Sequence, residues 1–324
     1  MAALRLGVIG CGGRATFLLE ILSRLGAGAE AYADPVEDAA RSALRRFGGR
    51  YACANPARLL QDDGIDAVLI ASRHDSHAPL ARAAAAAGKH LLLEKPLALT
   101  LQDCAAIVEA VDRAAVVCLL GHKLRYAPLF CRLRAAVPVP LLSVVQVLDN
   151  RWPDGSWTAD PLQGGGNVFS QGCHGADLAL ALHPAAAVSV AAAGGALTHP
   201  GAPHPDVLAS AVTFADGSVC SLLAGDPGEP AHSKFFAQAG DGHRMAVLHD
   251  RFRTLQLGGE TLRADPLLAD PEGDTQLLQD FLACATAGRP SEVGAGVRDG
   301  WRAMRLLHAA WDSARDGRAR PLGD

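Results

Sequence analysis

Three stretches of this 324-residue chain hold residue types that could manage a phosphate, a hydride or a proton. The first is "GCGGRA", Gly10, Cys11, Gly12, Gly13, Arg14 and Ala15, which fits G-x-G-x-x-G/A at the end of an apolar run. Gly10 allows a tight turn, Gly12 lets backbone approach a pyrophosphate, and Ala15 is small enough for close helix–strand packing. A helix opening there offers amide donors and a positive dipole end to phosphates. Asp34 follows about 20 residues on, placed to accept from a ribose 2′-hydroxyl and to repel a 2′-phosphate, which favours NAD over NADP. The plainer alternative is a glycine turn that caps a helix and holds nothing.

The second stretch is Glu94-Lys95-Pro96, closing "HLLLEK". Pro96 keeps Lys95 extended. Lys95 could pass a proton if burial or a bound nicotinamide cation lowered its pKa; otherwise it is a surface Lys/Glu pair. The third is "GGGNVFSQGCHGAD", Gly164 to Asp177. His174 reads as a proton-handling group or as a satisfied core histidine. Asp177 would orient His174 or a substrate, or cap the helix. Ser170 stands four residues before His174, on the same face if the segment is one helix, and its hydroxyl cannot carry charge at neutral pH. Three further sets are weaker. His74 and His77 in "SRHDSH" have metal-pair spacing without a third ligand, so no metal is expected. Asn150, Arg151 and Trp152 follow a strand and would either reach substrate or pack a rim. "THPGAPHP" (Thr198–Pro205) reads as a surface loop.

The elements that must position these residues alternate in the first third. Leu4–Gly10, Ala29–Asp34, Ala67–Ala71, His90–Lys95 and Val116–Gly121 read as strands. Helices are expected over Arg14–Leu25, Ser76–Ala87 and after Thr100, with Pro35 opening another. This order predicts a parallel sheet covered on both faces. Strand-like runs then dominate, with Asp216-Gly217 and Asp241-Gly242 as hairpin turns. Two amphipathic helices, near Asp274–Ala287 and Val297–Ala314, end the chain. The fold class expected is α/β, an N-terminal Rossmann dinucleotide-binding domain over 1–121. It is followed by a C-terminal α/β domain with a large, mainly antiparallel open sheet over 122–324, the C-terminal helices included.

A net charge of -4 with no basic cluster argues against nucleic acid as a partner. No apolar run reaches the length of a membrane helix, and the first residues lack a signal-peptide pattern. The eight cysteines form no CxxC pair, which fits a reduced, cytoplasmic protein.

"VIGCGGRA", "AGKHLLLEKPLALT", "LRYAP" and "GGGNVFSQGCHGAD" together resemble the Gfo/Idh/MocA oxidoreductase family, in order and over essentially the whole chain. The resemblance implies hydride transfer between a nicotinamide and a carbon of a sugar, cyclitol or related polyol. The family's EKP lysine maps onto Lys95, often before a cis peptide bond, and its substrate histidine onto His174. Arg125 and Tyr126 match the "RY" lining the pocket near the domain junction, and Asp177 matches the acid of the family's HxxD element. The loop with Ser72 and His77 falls beside the nicotinamide, as do Glu94 and Lys95. Many family dehydrogenases carry aspartate where this chain has Ser170.

The expected activity is therefore an NAD-dependent dehydrogenase or reductase acting on CH–OH groups. Lys95 and His174 are its catalytic groups, and Tyr126, Arg125, Arg151, Ser170 and Asp177 contact the substrate. A homodimer or homotetramer through the C-terminal sheet is expected, with no membrane partner. Two alternatives remain at this stage. One is a non-catalytic NAD-binding sensor, as in the family's yeast repressor of galactose genes; the other is an enzyme that keeps NAD bound and recycles it within each cycle.

Overall fold

A computed structural model describes residues 4–265 and 270–323. It divides into two compact units: residues 1–123 with 274–301, and residues 124–273 with 302–324.

In the first unit, strands β1 (Leu6–Ile9), β2 (Ala29–Ala33), β3 (Tyr51–Cys53), β4 (Ala67–Ile70), β5 (His90–Leu93) and β6 (Cys118–Leu120) form one sheet in the order β3-β2-β1-β4-β5-β6. Every pairing in it is parallel. Helices α1 (Gly13–Arg24), α2 (Glu37–Phe47), α3 (Pro56–Leu60), α4 (His77–Ala86) and α5 (Leu101–Ala114) connect the strands. β1 and β4 are buried at every position, as strands covered on both faces must be. Thr100 caps α5 by accepting the Asp103 amide, and Asn55 caps α3 in the same way. The strand order reverses between β1 and β4, which puts the binding crevice of such sheets at their C-terminal ends.

The second unit begins with α6 (Pro128–Ala136) and β7 (Leu142–Asn150). Next come α7 (Gly166–Ser170), α8 (Gly172–Leu182), β8 (Ala187–Gly195), β9 (Val207–Phe214), β10 (Val219–Gly228), β11 (Phe235–Gly240), β12 (Met245–His249), β13 (Thr254–Leu257) and β14 (Glu260–Arg263). Helices α9 (Asp274–Ala287) and α10 (Val297–Asp316) and the short β15 (Arg320–Pro321) end the chain. The nine strands run β14-β13-β12-β11-β7-β10-β9-β8-β15. Only the central β7–β10 pair is parallel among the described residues, so the sheet is mainly antiparallel as expected. Both Asp-Gly hairpins form, joining β9 to β10 and β11 to β12. α8 lies on β7 and β10, and α7 on β10. Small residues permit that approach: a Cβ on Gly172 would stand 2.9 Å from the Ala224 Cβ, and one on Gly175 2.9 Å from Leu222.

One boundary differs from the sequence reading, which put everything after residue 121 in the second domain. Residues 274–301 return to the first unit. α9 packs on α1, the Leu120 amide donates to the Ala295 carbonyl, and buried Asp274 takes ion pairs from Arg14 and Lys123. Amphipathic periodicity marks a helix but carries no information about which core its apolar face joins.

Candidate functional site

The site residues of the first unit gather at the C-terminal ends of its strands. Gly10 leaves β1 with φ +86°, and a Cβ there would lie 2.7 Å from the Ala71 backbone. Only glycine meets both demands. Gly12 is the N-cap of α1, and no side chain caps the helix. A Cβ on Gly12 or Gly13 would meet nothing within 4 Å, so the space over the first turn is open. Asp34 closes β2. Its carboxylate accepts the Cys11 amide at 2.8 Å and the Val36 amide at 2.8 Å, which aims it while leaving lone pairs for further donors. Cys11 is buried. Burial, with the Asp34 charge, pushes its thiol up to about 12, so it stays neutral and contributes backbone only. These features fit a dinucleotide: the α1 amides for the pyrophosphate and Asp34 for a ribose hydroxyl.

Ser72 follows β4, with its hydroxyl 2.6 Å from that of Ser76. Lys95 follows β5, half-buried, and its bond to Pro96 is cis. Buried Glu94 accepts from Arg14 at 2.6 Å, and Arg14 also reaches Asp274 at 2.6 Å. Burial alone would lower the Arg14 pKa, but Glu94 and Asp274 raise it, so the guanidinium stays charged. Asp274, pushed up by burial, ends below its ordinary value because Arg14 and Lys123 outweigh that cost. Two expectations change here. The Arg14 side chain is drawn into this network, its guanidinium paired with both Glu94 and Asp274. His77 is fully buried, with Nδ1 2.7 Å from the Pro96 carbonyl and Nε2 3.4 Å from that of Ser72. It has no surface to offer a cofactor and instead braces the Ser72 loop against the Lys95–Pro96 turn. Burial lowers its pKa, which keeps it neutral.

In the second unit, Ser170 ends α7 and His174 lies in the first turn of α8, both buried. The two helices are separate at Gln171, and the His174 amide donates to the Gln171 carbonyl. Ser170 and His174 are thus not related by one continuous helical turn. His174 meets the Phe235 ring edge-on, with centroids 6.1 Å apart. Asp177 faces Arg125: Nε lies 3.0 and 2.9 Å from its two oxygens and Nη2 2.7 Å from one. Two residues expected to contact substrate therefore hold each other in a forked, buried ion pair that ties α8 to the segment before α6. Tyr126 is buried beside Arg125 in sequence. Arg151 is exposed, donating to the Thr198 carbonyl at 3.1 Å and pairing with Asp154 at 2.6 Å, which gives it a loop-bracing place.

Sequence reasoning passed over three positions. Lys123 and Asp274 complete the Arg14–Glu94 network, and their separation of 151 residues leaves no local signal. Asn167 is buried, and neither polar atom of its amide has a hydrogen-bond partner.

Residues 4–122 match a family model described as "Oxidoreductase family, NAD-binding Rossmann fold", and residues 141–230 match the "GFO/IDH/MocA C-terminal domain". This chain belongs to the Gfo/Idh/MocA oxidoreductase family. Its first unit is the family's NAD-binding Rossmann domain. Among curated relatives, the Gfo/Idh/MocA chain is 36% identical over 135 residues to myo-inositol 2-dehydrogenase of Thermotoga maritima, covering 41% of this chain and 40% of that protein. It is 38% identical over 121 residues to D-xylose 1-dehydrogenase (NADP(+)) 2 of Haloferax volcanii, covering 36% and 37%. The match thus spans about two fifths of these relatives. An NAD binding oxidoreductase from Klebsiella pneumoniae shares the fold over 100% of both chains, with TM-score 0.88 and 21% identity. No helix among the described residues is long and apolar enough to cross a membrane.

Proposed function

We propose that this protein is an NAD-dependent dehydrogenase or reductase that moves hydride between nicotinamide and a secondary alcohol or ketone of a sugar, cyclitol or sugar derivative. The observation that carries the reading is the open, uncapped start of α1 beneath the glycine turn, with Asp34 held by two amides at the end of the neighbouring strand. Relatives named as inositol and xylose dehydrogenases support the substrate class. Asp34 supports NAD, since its carboxylate opposes a 2′-phosphate.

When bound, the nicotinamide supplies the hydride acceptor or donor. The chain's own groups do the rest. Amides of Gly12 to Ala15 and the α1 dipole hold phosphate. Lys95 and His174 are the groups proposed to polarise the substrate hydroxyl and take its proton. Asn167 and Tyr126 are proposed to meet other substrate hydroxyls; an amide buried without a partner costs on the order of 1–3 kcal/mol, which a ligand hydroxyl would relieve. Ser170 adds no charge to this set, so the proton falls to Lys95 and His174.

The test is a screen of polyols and keto-sugars with NAD and NADP, following reduced nicotinamide by absorbance. With a substrate in hand, Lys95→Met is expected to cut kcat by about 10²–10⁴-fold while NAD affinity stays near that of the parent. An unchanged kcat removes Lys95 from the mechanism. Failure of every polyol and keto-sugar while NAD binds would favour a binding role instead.

A further inference from the structure

The Pro- and Gly-rich stretch from Thr198 to Pro205 looks like plain surface in sequence, yet it leads into a buried charge cluster of the second unit. Asp206, just before β9, and Asp226, in β10, are each 1% exposed. They sit opposite each other on paired strands, the Asp226 amide donating to the Asp206 carbonyl at 3.0 Å. Like charges so placed repel, and burial multiplies the cost. His199 closes the group. Its Nε2 lies 3.1 Å from the Trp152 carbonyl, an acceptor, so Nε2 carries the hydrogen. Its Nδ1 faces the Thr198 hydroxyl at 3.1 Å and both carboxylates, 3.4 Å from Asp206 Oδ2 and 3.6 Å from Asp226 Oδ2. These three ligand atoms lie within 4.8 Å of one another.

The spacing of these atoms suits a metal cation. Neither carboxylate makes the short contact of about 2.7–2.9 Å to Nδ1 that a charge-assisted N–H···O bond would give. Zinc bonds of about 2.0–2.2 Å put the corners of a tetrahedron about 3.3–3.6 Å apart, which matches the spacing from Nδ1 to each carboxylate. The outer partners are those a metal site uses. The Leu197, Thr198 and His199 amides hold the Asp206 carboxylate, the Thr198 hydroxyl donates to Asp226 Oδ1 at 2.5 Å, and the Trp152 carbonyl fixes the imidazole tautomer.

We infer that His199 Nδ1, Asp206 Oδ2 and Asp226 Oδ2 form a binding site for one divalent transition-metal ion, Zn²⁺ best matching the imidazole and carboxylate donors, with a fourth position open to water or a ligand hydroxyl. Bound there, a dication balances the two buried carboxylates. It also ties the β8–β9 connection to β10 and, through Trp152, to the chain leaving β7. None of its three ligands is among the groups proposed to move hydride or proton, so its fate does not depend on the proposed dehydrogenase activity.

The test strips full-length protein with a chelator and titrates it with Zn²⁺ and, separately, Mg²⁺ by calorimetry, with native mass spectrometry for stoichiometry. One Zn²⁺ per chain is expected. Asp226→Asn and His199→Gln should each weaken binding by more than the roughly 10–100-fold that loss of an outer partner costs. Far-UV circular dichroism of the metal-free variants checks that they fold. If either does not, Co²⁺ bound to the parent protein gives the answer through the strong visible bands of a tetrahedral site. Absence of stoichiometric Zn²⁺ uptake, equal uptake by folded variants, preference for Mg²⁺, or an octahedral Co²⁺ spectrum would each overturn the assignment. The cluster would then be held by hydrogen bonds within the protein alone.

Discussion

Asp34 shows how much one side chain can decide. Each of its oxygens already accepts a backbone amide, so its position is set before any ligand arrives, while its charge stays uncancelled by those neutral donors. Asp34→Asn keeps an acceptor in place and removes the charge. The ratio of kcat/KM with NADP to that with NAD is expected to rise at least about tenfold, equivalent to ~1.4 kcal/mol. An unchanged ratio in steady-state kinetics would mean that Asp34 does not face the 2′ position. Arg125 and Asp177 carry a different lesson. Both were legible as site residues from the "LRYAP" and "HGAD" motifs, but sequence could not show that they pair with each other. A motif marks a residue as special without stating its partner.

The element scale explains why His174 sits where it does. The Gly172 and Gly175 spacing lets α8 lie against β7 and β10, and Gln171 stands between it and α7 as the cap of both helices. At the far end of α8, His183 bonds to Ser143 of β7 and Ser218 before β10, both at 2.8 Å, and Ser218 in turn bonds to Asp216. Burial pushes the His183 pKa down to about 4, with Asp216 opposing weakly. The unfolded chain, with an ordinary histidine near 6.5, therefore takes up this proton first on acidification. Its contribution to stability is complete above about pH 6.5, is lost as pH falls towards about 4, and changes no further below. The urea midpoint of the parent protein should drop between pH 7 and pH 5 by more than that of His183→Gln; equal drops would assign the acid sensitivity elsewhere. The strands and Asp-Gly turns on either side of this chain were readable from period-two patterning. The bonding of His183 was not, because it joins three elements distant in sequence.

For the whole molecule, the return of residues 274–301 to the first unit matters most. Asp274 pairs with two cations, the 295–296 backbone pairs with β6, and Gly300 stands so close to Leu120 that a Cβ there would lie 2.1 Å from its Cδ1. A dinucleotide-binding sheet cut at residue 123 would expose the face that α9 covers and leave Arg14 with one buried carboxylate instead of two. Residues 1–123 expressed alone are expected to lack a cooperative urea transition by circular dichroism, and adding residues 274–301 through a flexible linker should restore one. A sharp transition for residues 1–123 alone would show the returning segment to be dispensable.

The sequence by itself determined the local and the chain-ordered features: the glycine turn, Asp34 at the end of the second strand, the parallel then antiparallel succession, both hairpins, and the stretches holding Lys95 and His174. Glycine geometry, hydrophobic period and turn chemistry act over a few residues, so they are written in a few residues. Only the tertiary structure decided which charges meet. It gave Arg14 to Glu94 and Asp274, closed His77 off between two carbonyls, paired Arg125 with Asp177, and brought His199, from what reads as an ordinary loop, against Asp206 and Asp226. Electrostatic partners are chosen by distance in space, and a linear chain does not record that distance.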